Sequence, residues 1–108
     1  MSSRGSQYAT GKVIATNATL NIRSVGFVPD RVKLLNVDND CMFDWNNMMA
    51  DGTGFKTIKA GDRTLEVTTG ITPLAESGSD GPGFSIGAEA DINDTTTEGL
   101  IWIASRMG

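Results

Sequence analysis

Leu100-Ile101-Trp102-Ile103-Ala104-Ser105-Arg106 is the most hydrophobic stretch of this chain, and it stops two residues before the sequence does. Such an aromatic run is expected at the centre of a sheet, because at an edge it would template aggregation. Just upstream, Gly83-Phe84-Ser85-Ile86-Gly87 reads as a second β run. The link between them, Ala88 to Gly99, is polar and rich in Asp, Asn and Thr, which are turn-forming residues.

The same rhythm extends through the rest of the chain. Lys12 to Thr16 reads as a short strand, and Thr19-Leu20-Asn21-Ile22-Arg23 alternates with the period of two that marks a half-buried strand. Pro29 cannot donate to a ladder and marks a connection. Arg31 to Val37 is a strong strand in which Leu34-Leu35 interrupts the alternation, predicting a bulge or burial on both faces. After the Asp38-Asn39-Asp40 turn, Cys41 to Trp45 returns as a hairpin strand with Phe43 and Trp45 on one face and Met42 on the other. Phe55 to Lys59 and Thr64 to Thr68 flank the Ala60-Gly61-Asp62 turn, and residues 69–83, with Gly70, Pro73, Gly78, Gly81 and Pro82, read as the longest irregular stretch.

About eight short strands at spacings near ten residues predict an all-β, single-domain antiparallel β-sandwich or small barrel, jelly-roll-like in character. Residues 1–11 are predicted to be a flexible N-terminal arm, and residues 12–108 the β-sandwich domain. The expected core comprises Val13, Leu20, Ile22, Val32, Leu34, Val37, Phe55, Leu65, Val67, Phe84, Ile86, Leu100, Trp102 and Ile103.

Composition narrows the function classes. The chain has 108 residues, 39% apolar and 20% charged, which is the balance of one globular domain. A single cysteine, Cys41, excludes an intrachain disulfide, and the lack of His removes the usual general base and the commonest metal ligand. No apolar run approaches the roughly 20 residues that span a bilayer, and Met1 to Gln7 has no signal-peptide core, so neither membrane insertion nor export is expected. Residues 1–63 carry eight basic and six acidic side chains, whereas residues 64–108 carry Arg106 against seven acidic ones. An acidic chain without a basic stripe is a poor nucleic-acid binder. Its two oppositely biased halves could instead meet complementary surfaces on neighbouring subunits.

The chemistry-bearing patterns are weak. Gly81, Gly83 and Gly87 have neither the following Lys-Ser/Thr nor the helix that a phosphate loop needs, and read as backbone geometry. Asp91, Asn93 and Asp94, with Glu98, fail the EF-hand spacing at Thr95 and Thr96; an Asx-rich turn is expected, with a calcium site of another type left open. Cys41 has no His to activate it. No enzyme activity, cofactor or metal is therefore expected. Trp45, beside Asn46-Asn47 and the Met48-Met49 pair, is the better contact candidate of the two tryptophans, and Trp102 the better core residue.

Gly11-Lys12-Val13-Ile14-Ala15-Thr16, Gly26-Phe27-Val28-Pro29-Asp30 through Asn36, Trp45, Met49 to Lys56, Gly70-Ile71-Thr72-Pro73-Leu74 and Gly83 to Gly87 through Trp102 resemble small virion structural proteins of tailed bacteriophages, in particular capsid decoration or cement proteins. The resemblance covers most of residues 11–106 and rests on structural, not catalytic, motifs. It implies a β-rich protein, made in the host cytoplasm, that binds the outer capsid surface of the virion in many copies and stabilises the lattice. The implied partners are the major capsid protein and neighbouring copies of the chain itself, as a homo-oligomer; a trimer would suit a local three-fold site. Contacts are expected from Arg4 and Tyr8 in the arm, from Trp45, Met48 and Met49, and from Pro73 and Leu74 at the second loop. A related cadence of Gly-Phe motifs occurs in tail-fibre-associated phage proteins. The alternative expectation is therefore a tail-fibre-associated or glycan-binding module that uses an exposed Trp45.

Overall fold

The computed structural model describes residues 7–107. Its regular elements are eight strands: β1 (Gln7–Ile14), β2 (Leu20–Ile22), β3 (Arg31–Asn36), β4 (Cys41–Asn46), β5 (Thr53–Thr57), β6 (Arg63–Leu74), β7 (Gly83–Ile86) and β8 (Gly99–Arg106). They form one sheet in the order β1-β8-β3-β4-β5-β6-β7-β2, every pairing antiparallel. Strands β3 to β7 run as a meander, and the C-terminal β8 inserts between β1 and β3.

The sheet is curled into a half-barrel. Trp102 on β8, the second strand in the order, meets Phe84 on β7, the seventh, with ring centroids 5.7 Å apart and planes at 73°. The edge-to-face contact joins the two wings across the concave side. Along β3, β4 and, from Leu100 on, β8, burial alternates: Val32, Leu34 and Asn36, then Cys41, Phe43 and Trp45, then Leu100, Trp102 and Ala104 point inward. Gly11, Trp102, Leu34, Phe43 and Lys56 form one in-register row across the concave face. A Cβ on Gly11 would lie 2.7 Å from the indole, so the missing side chain is what lets Trp102 cover β1. The connection between β2 and β3 adds Val25 and Phe27 to the core, and the link between β7 and β8 adds Ile92.

Several expectations change. Gln7 to Gly11, expected as arm, forms the first part of β1, paired with Trp102 to Arg106; the rest of the expected arm lies outside the described residues. The reason is local: β1 covers the otherwise open side of β8. Consequently β8 is flanked on both sides but lies second from an edge rather than at the centre. The expected bulge at Leu34-Leu35 does not occur, because β3 pairs regularly on both sides, with Leu34 inward and Leu35 half-buried on the convex face. A register shift occurs instead between Thr53 and Gly54.

Strand β6 is longer than expected, and the irregular stretch shrinks to residues 75–82. β6 pairs with β5 through Arg63 to Glu66 and with β7 through Ile71 to Leu74. Gly70 marks the corner: a Cβ there would sit 2.1 Å from the carbonyl oxygen of Thr53, so only glycine lets the two backbones approach this closely. Four expected core residues, Val37, Phe55, Leu65 and Val67, are exposed by 45%, 42%, 53% and 62%. In β5 the inward position belongs to Lys56, opposite Phe43, which turns Phe55 and its partner Leu65 outward.

Candidate interaction surface

Strand register determines which loops share an end of the half-barrel. Tyr8, Ser105, Arg31 and Asn46 form one row across β1, β8, β3 and β4, spanning roughly 14 Å at ordinary strand spacing. Thr53 starts β5 at the same end, Ile71 faces it, and the strand then continues to Leu74 opposite Gly83. The loop from 47 to 52, the loop from 75 to 82 and the C-terminal Met107 therefore lie on one rim.

That rim has a defined build. Asp30 holds two of its parts together: its carbonyl accepts from Asn47 N at 2.8 Å and its carboxylate accepts from Met107 N at 3.1 Å. Asn46 Oδ1 accepts from Met48 N at 2.9 Å, a local side-chain bond that closes the turn. Arg23 donates to the carbonyls of Ala75 and Gly81 and clamps the base of the second loop, while Ser77 and Asp80 close its tip as a β-bridge. Met48, Met107 and Tyr8, exposed by 91%, 77% and 69%, are the most exposed large apolar side chains among the described residues, and all three lie on this rim. Beside Tyr8 the convex face carries a shallow hollow of about 310 Å³ lined by Arg31, Lys33, Ile103 and Ser105.

The sequence-derived contact residues fall into three groups. Tyr8 and Met48 are exposed on the rim, and Arg4 lies outside the described residues. Met49 is half-buried and packs against the core, and Pro73 and Leu74 are half-buried in β6, paired with Phe84 and Gly83. Trp45, expected to be exposed, is 2% exposed on the inner face beside Phe43, and its Nε1 donates to the carbonyl of Ala50 at 3.3 Å. Its position follows from parity: residues 41, 43 and 45 share the concave face. Sequence reasoning missed Met107 and the role of Asp30, because both depend on β8 lying beside β3.

A buried polar network lies at the opposite, concave side. Lys56 Nζ donates to Glu89 Oε2 at 2.5 Å and to Asp91 Oδ2 at 2.7 Å, with Glu66 Oε2 at 3.7 Å. Burial disfavours its charge, but hydrogen bonds and charge from Asp91 and Glu89 outweigh it, so the ammonium is held above its ordinary range. Glu89 Oε1 also accepts from the backbone N of Asp91 and of Ile92 at 2.8 and 3.1 Å. Asn93 is fully buried, accepting from Thr16 N and donating to the carbonyls of Ala18 and Gly87. Asn36 donates to Ile92 O at 2.9 Å and to Glu98 Oε1 at 2.8 Å. The Asp/Asn-rich link thus seats Ile92 in the core. The acidic bias of the second half is partly used inside the chain, on Lys56. Among the described residues, no group of three or more His, Cys, Asp or Glu side chains is placed to hold a metal ion.

Cys41 is 4% exposed, and its thiol donates to Asn39 O at 3.2 Å. Burial pushes the thiol up, and the charges of Asp91 and Glu89 add to the shift. A chromogenic disulfide reagent at neutral pH is expected to label Cys41 only after denaturation. Stoichiometric labelling of the folded protein within seconds would contradict this burial.

No protein-family model, no curated protein and no solved structure matches this chain.

Proposed function

We propose that this chain is a capsid decoration protein of a tailed bacteriophage, seated on the outer surface of the head by the rim that carries Met48, Tyr8 and Met107. The supporting observation is that, among the described residues, the three most exposed large apolar side chains share one rim. Exposed apolar groups gathered on one rim are suited to a protein contact, and methionine adapts to the surface it meets. The sequence resemblance supplies the partner, the major capsid protein. A protein that binds only the assembled shell stabilises that state by mass action, and many copies multiply a modest contact. In its finer architecture we read the domain as a half-open barrel rather than a two-sheet jelly roll, since all eight strands share one order.

The glycan-binding alternative loses its motivating feature, because the ring of Trp45 is enclosed by the core. The test is co-sedimentation with expanded heads that lack the protein. Met48→Asp, at a fully solvated position, is expected to melt as the wild type while losing at least about tenfold in affinity for heads. Unchanged binding by Met48→Asp would remove the rim from the contact. A wild-type protein that ignores expanded heads would remove the decoration role itself.

A further inference from the structure

The two edges of the sheet are unequal. The β2 edge has only three residues, Leu20–Ile22, whereas the β1 edge has eight, Gln7–Ile14, contains no proline and pairs on one side only. Short edges, prolines and bulges are the usual protection against strand addition, and β1 has none of these; its single charge is Lys12. Ala15 N donates to Glu98 O at 3.0 Å in continuation of the β1–β8 register. Bonded pairs alternate in an antiparallel ladder, so Gln7, Ala9, Gly11 and Val13 bond to β8. The N–H and C=O groups of Tyr8, Thr10, Lys12 and Ile14 therefore point away from the sheet, and the side chains of these same four residues are exposed.

We propose that β1 pairs with β1 of a second copy of this chain, antiparallel about a two-fold axis through Gly11, joining two half-barrels into one continuous sheet. The four outward residues are symmetric about position 11, so this register satisfies all of them within Gln7–Ile14: Tyr8 opposite the partner's Ile14, and Thr10 opposite the partner's Lys12. Shifting by two residues one way sets Ile14 beyond the described residues of β1; shifting the other way carries Tyr8 past the end of β1 and sets Lys12 against its own copy. The chosen register also covers Tyr8 and Ile14, exposed by 69% and 51%, with each other as an aromatic–β-branched cross-strand pair, formed twice. A two-fold contact departs from the trimer suggested by the resemblance. It concerns the free protein; in a paired copy Tyr8 is covered, and the rim keeps Met48 and Met107 exposed.

Sedimentation equilibrium of the purified chain over a range of concentrations tests the pairing. The wild type is expected to be a dimer in reversible exchange with monomer. Thr10→Pro removes an N–H that points outward, so it spares the backbone ladder to β8 and loses there only the bond from Thr10 Oγ1 to Trp102 O. It is expected to raise the dimer dissociation constant at least about tenfold, since symmetry counts each lost bond twice. Tyr8→Glu should weaken the dimer by a similar factor even if the proline variant does not fold. Adding Ile14→Lys to Tyr8→Glu should restore it, because opposite charges then face each other across the axis. A wild type that stays monomeric or forms a trimer overturns the proposal. So does a dimer indifferent to Thr10→Pro and Tyr8→Glu, or a failure of Ile14→Lys to rescue. A monomer that instead captures an extended peptide on this edge would assign β1 to a different chain and equally overturn self-pairing.

Discussion

Trp102→Ala is expected to remove a large part of the stability of the domain. Replacing a fully enclosed tryptophan by alanine costs roughly 3–5 kcal/mol, against a total of about 5–15 kcal/mol for a natural domain. Here three losses coincide. The indole covers Gly11 on β1, packs edge-to-face on Phe84 of the far wing, and shares its row with Leu34. Its removal opens a cavity where the two wings of the half-barrel meet and uncovers the edge strand. A melting temperature lower by about 15 °C or more is expected in differential scanning calorimetry. Trp102→Phe should lie between the two, since it keeps a ring against Phe84 but uncovers part of Gly11. A Trp102→Ala protein that melts within a few degrees of wild type, with only a binding defect, would show that the two wings do not depend on this contact.

Lys56→Ala ranks second. Lys56 is 8% exposed and Glu89 5%, so deleting the ammonium leaves a carboxylate in the core without its cation. Breaking one partner of a buried pair costs about 3–5 kcal/mol, even where the intact pair adds little over an apolar substitute. Glu89→Gln in the same background should recover part of that loss. The amide oxygen can still accept from Asp91 N and Ile92 N, while the uncompensated charge is gone. The pH dependence has a definite sign. Lys56 is raised above its ordinary value, so its contribution is complete below the unfolded lysine value of about 10.4 and is lost as pH rises through the higher folded value. Urea titrations of wild type and Lys56→Ala should therefore show a constant gap from neutrality to about pH 10, closing only above it. A gap that already closes between pH 7 and 9 would contradict the placement of the charge.

How much of this was legible in the sequence depends on which forces leave a local trace. A ladder with one buried face imposes a period of two, so eight strands were expected and eight are present. Turn chemistry was legible for the same reason: Asp38 to Asp40 is a turn between β3 and β4. Facing was legible only where both neighbours of a strand are apolar. In β5 the inward residue is Lys56, whose partners lie 33 and 35 residues later, and no local pattern indicates that a lysine turns inward to meet them. Phe55 and Leu65 were consequently assigned to the wrong face. The extension of β6 was hidden by Gly70 and Pro73, which ordinarily break strands; Gly70 is required there by the backbone of Thr53. Trp45 was legible in parity but not in exposure, since its burial depends on β3 pairing at Val32. The sharing of one rim was not legible. Tyr8, Met48 and Met107 are far apart in sequence and share an end only because β8 inserts between β1 and β3.

The Asp/Asn-rich link illustrates the same division. Its spacing argued against an EF-hand and for a turn stabilised by its own side chains. The side chains bond backbone groups both locally and over long range: Glu89 accepts from Asp91 N and Ile92 N, while Asn93 reaches Ala18 and Asn36 reaches Ile92 from the sheet. The link is therefore a seated part of the core, and substitutions in it should report on stability before binding.

If the rim faces a capsid, as proposed, a density map of the virion will show a half-barrel of this size on the outer head surface, with the 47–52 and 75–82 loops turned toward the shell. Density for the chain on the tail or its fibres, or a head-bound copy with the rim turned to solvent, would contradict the proposal.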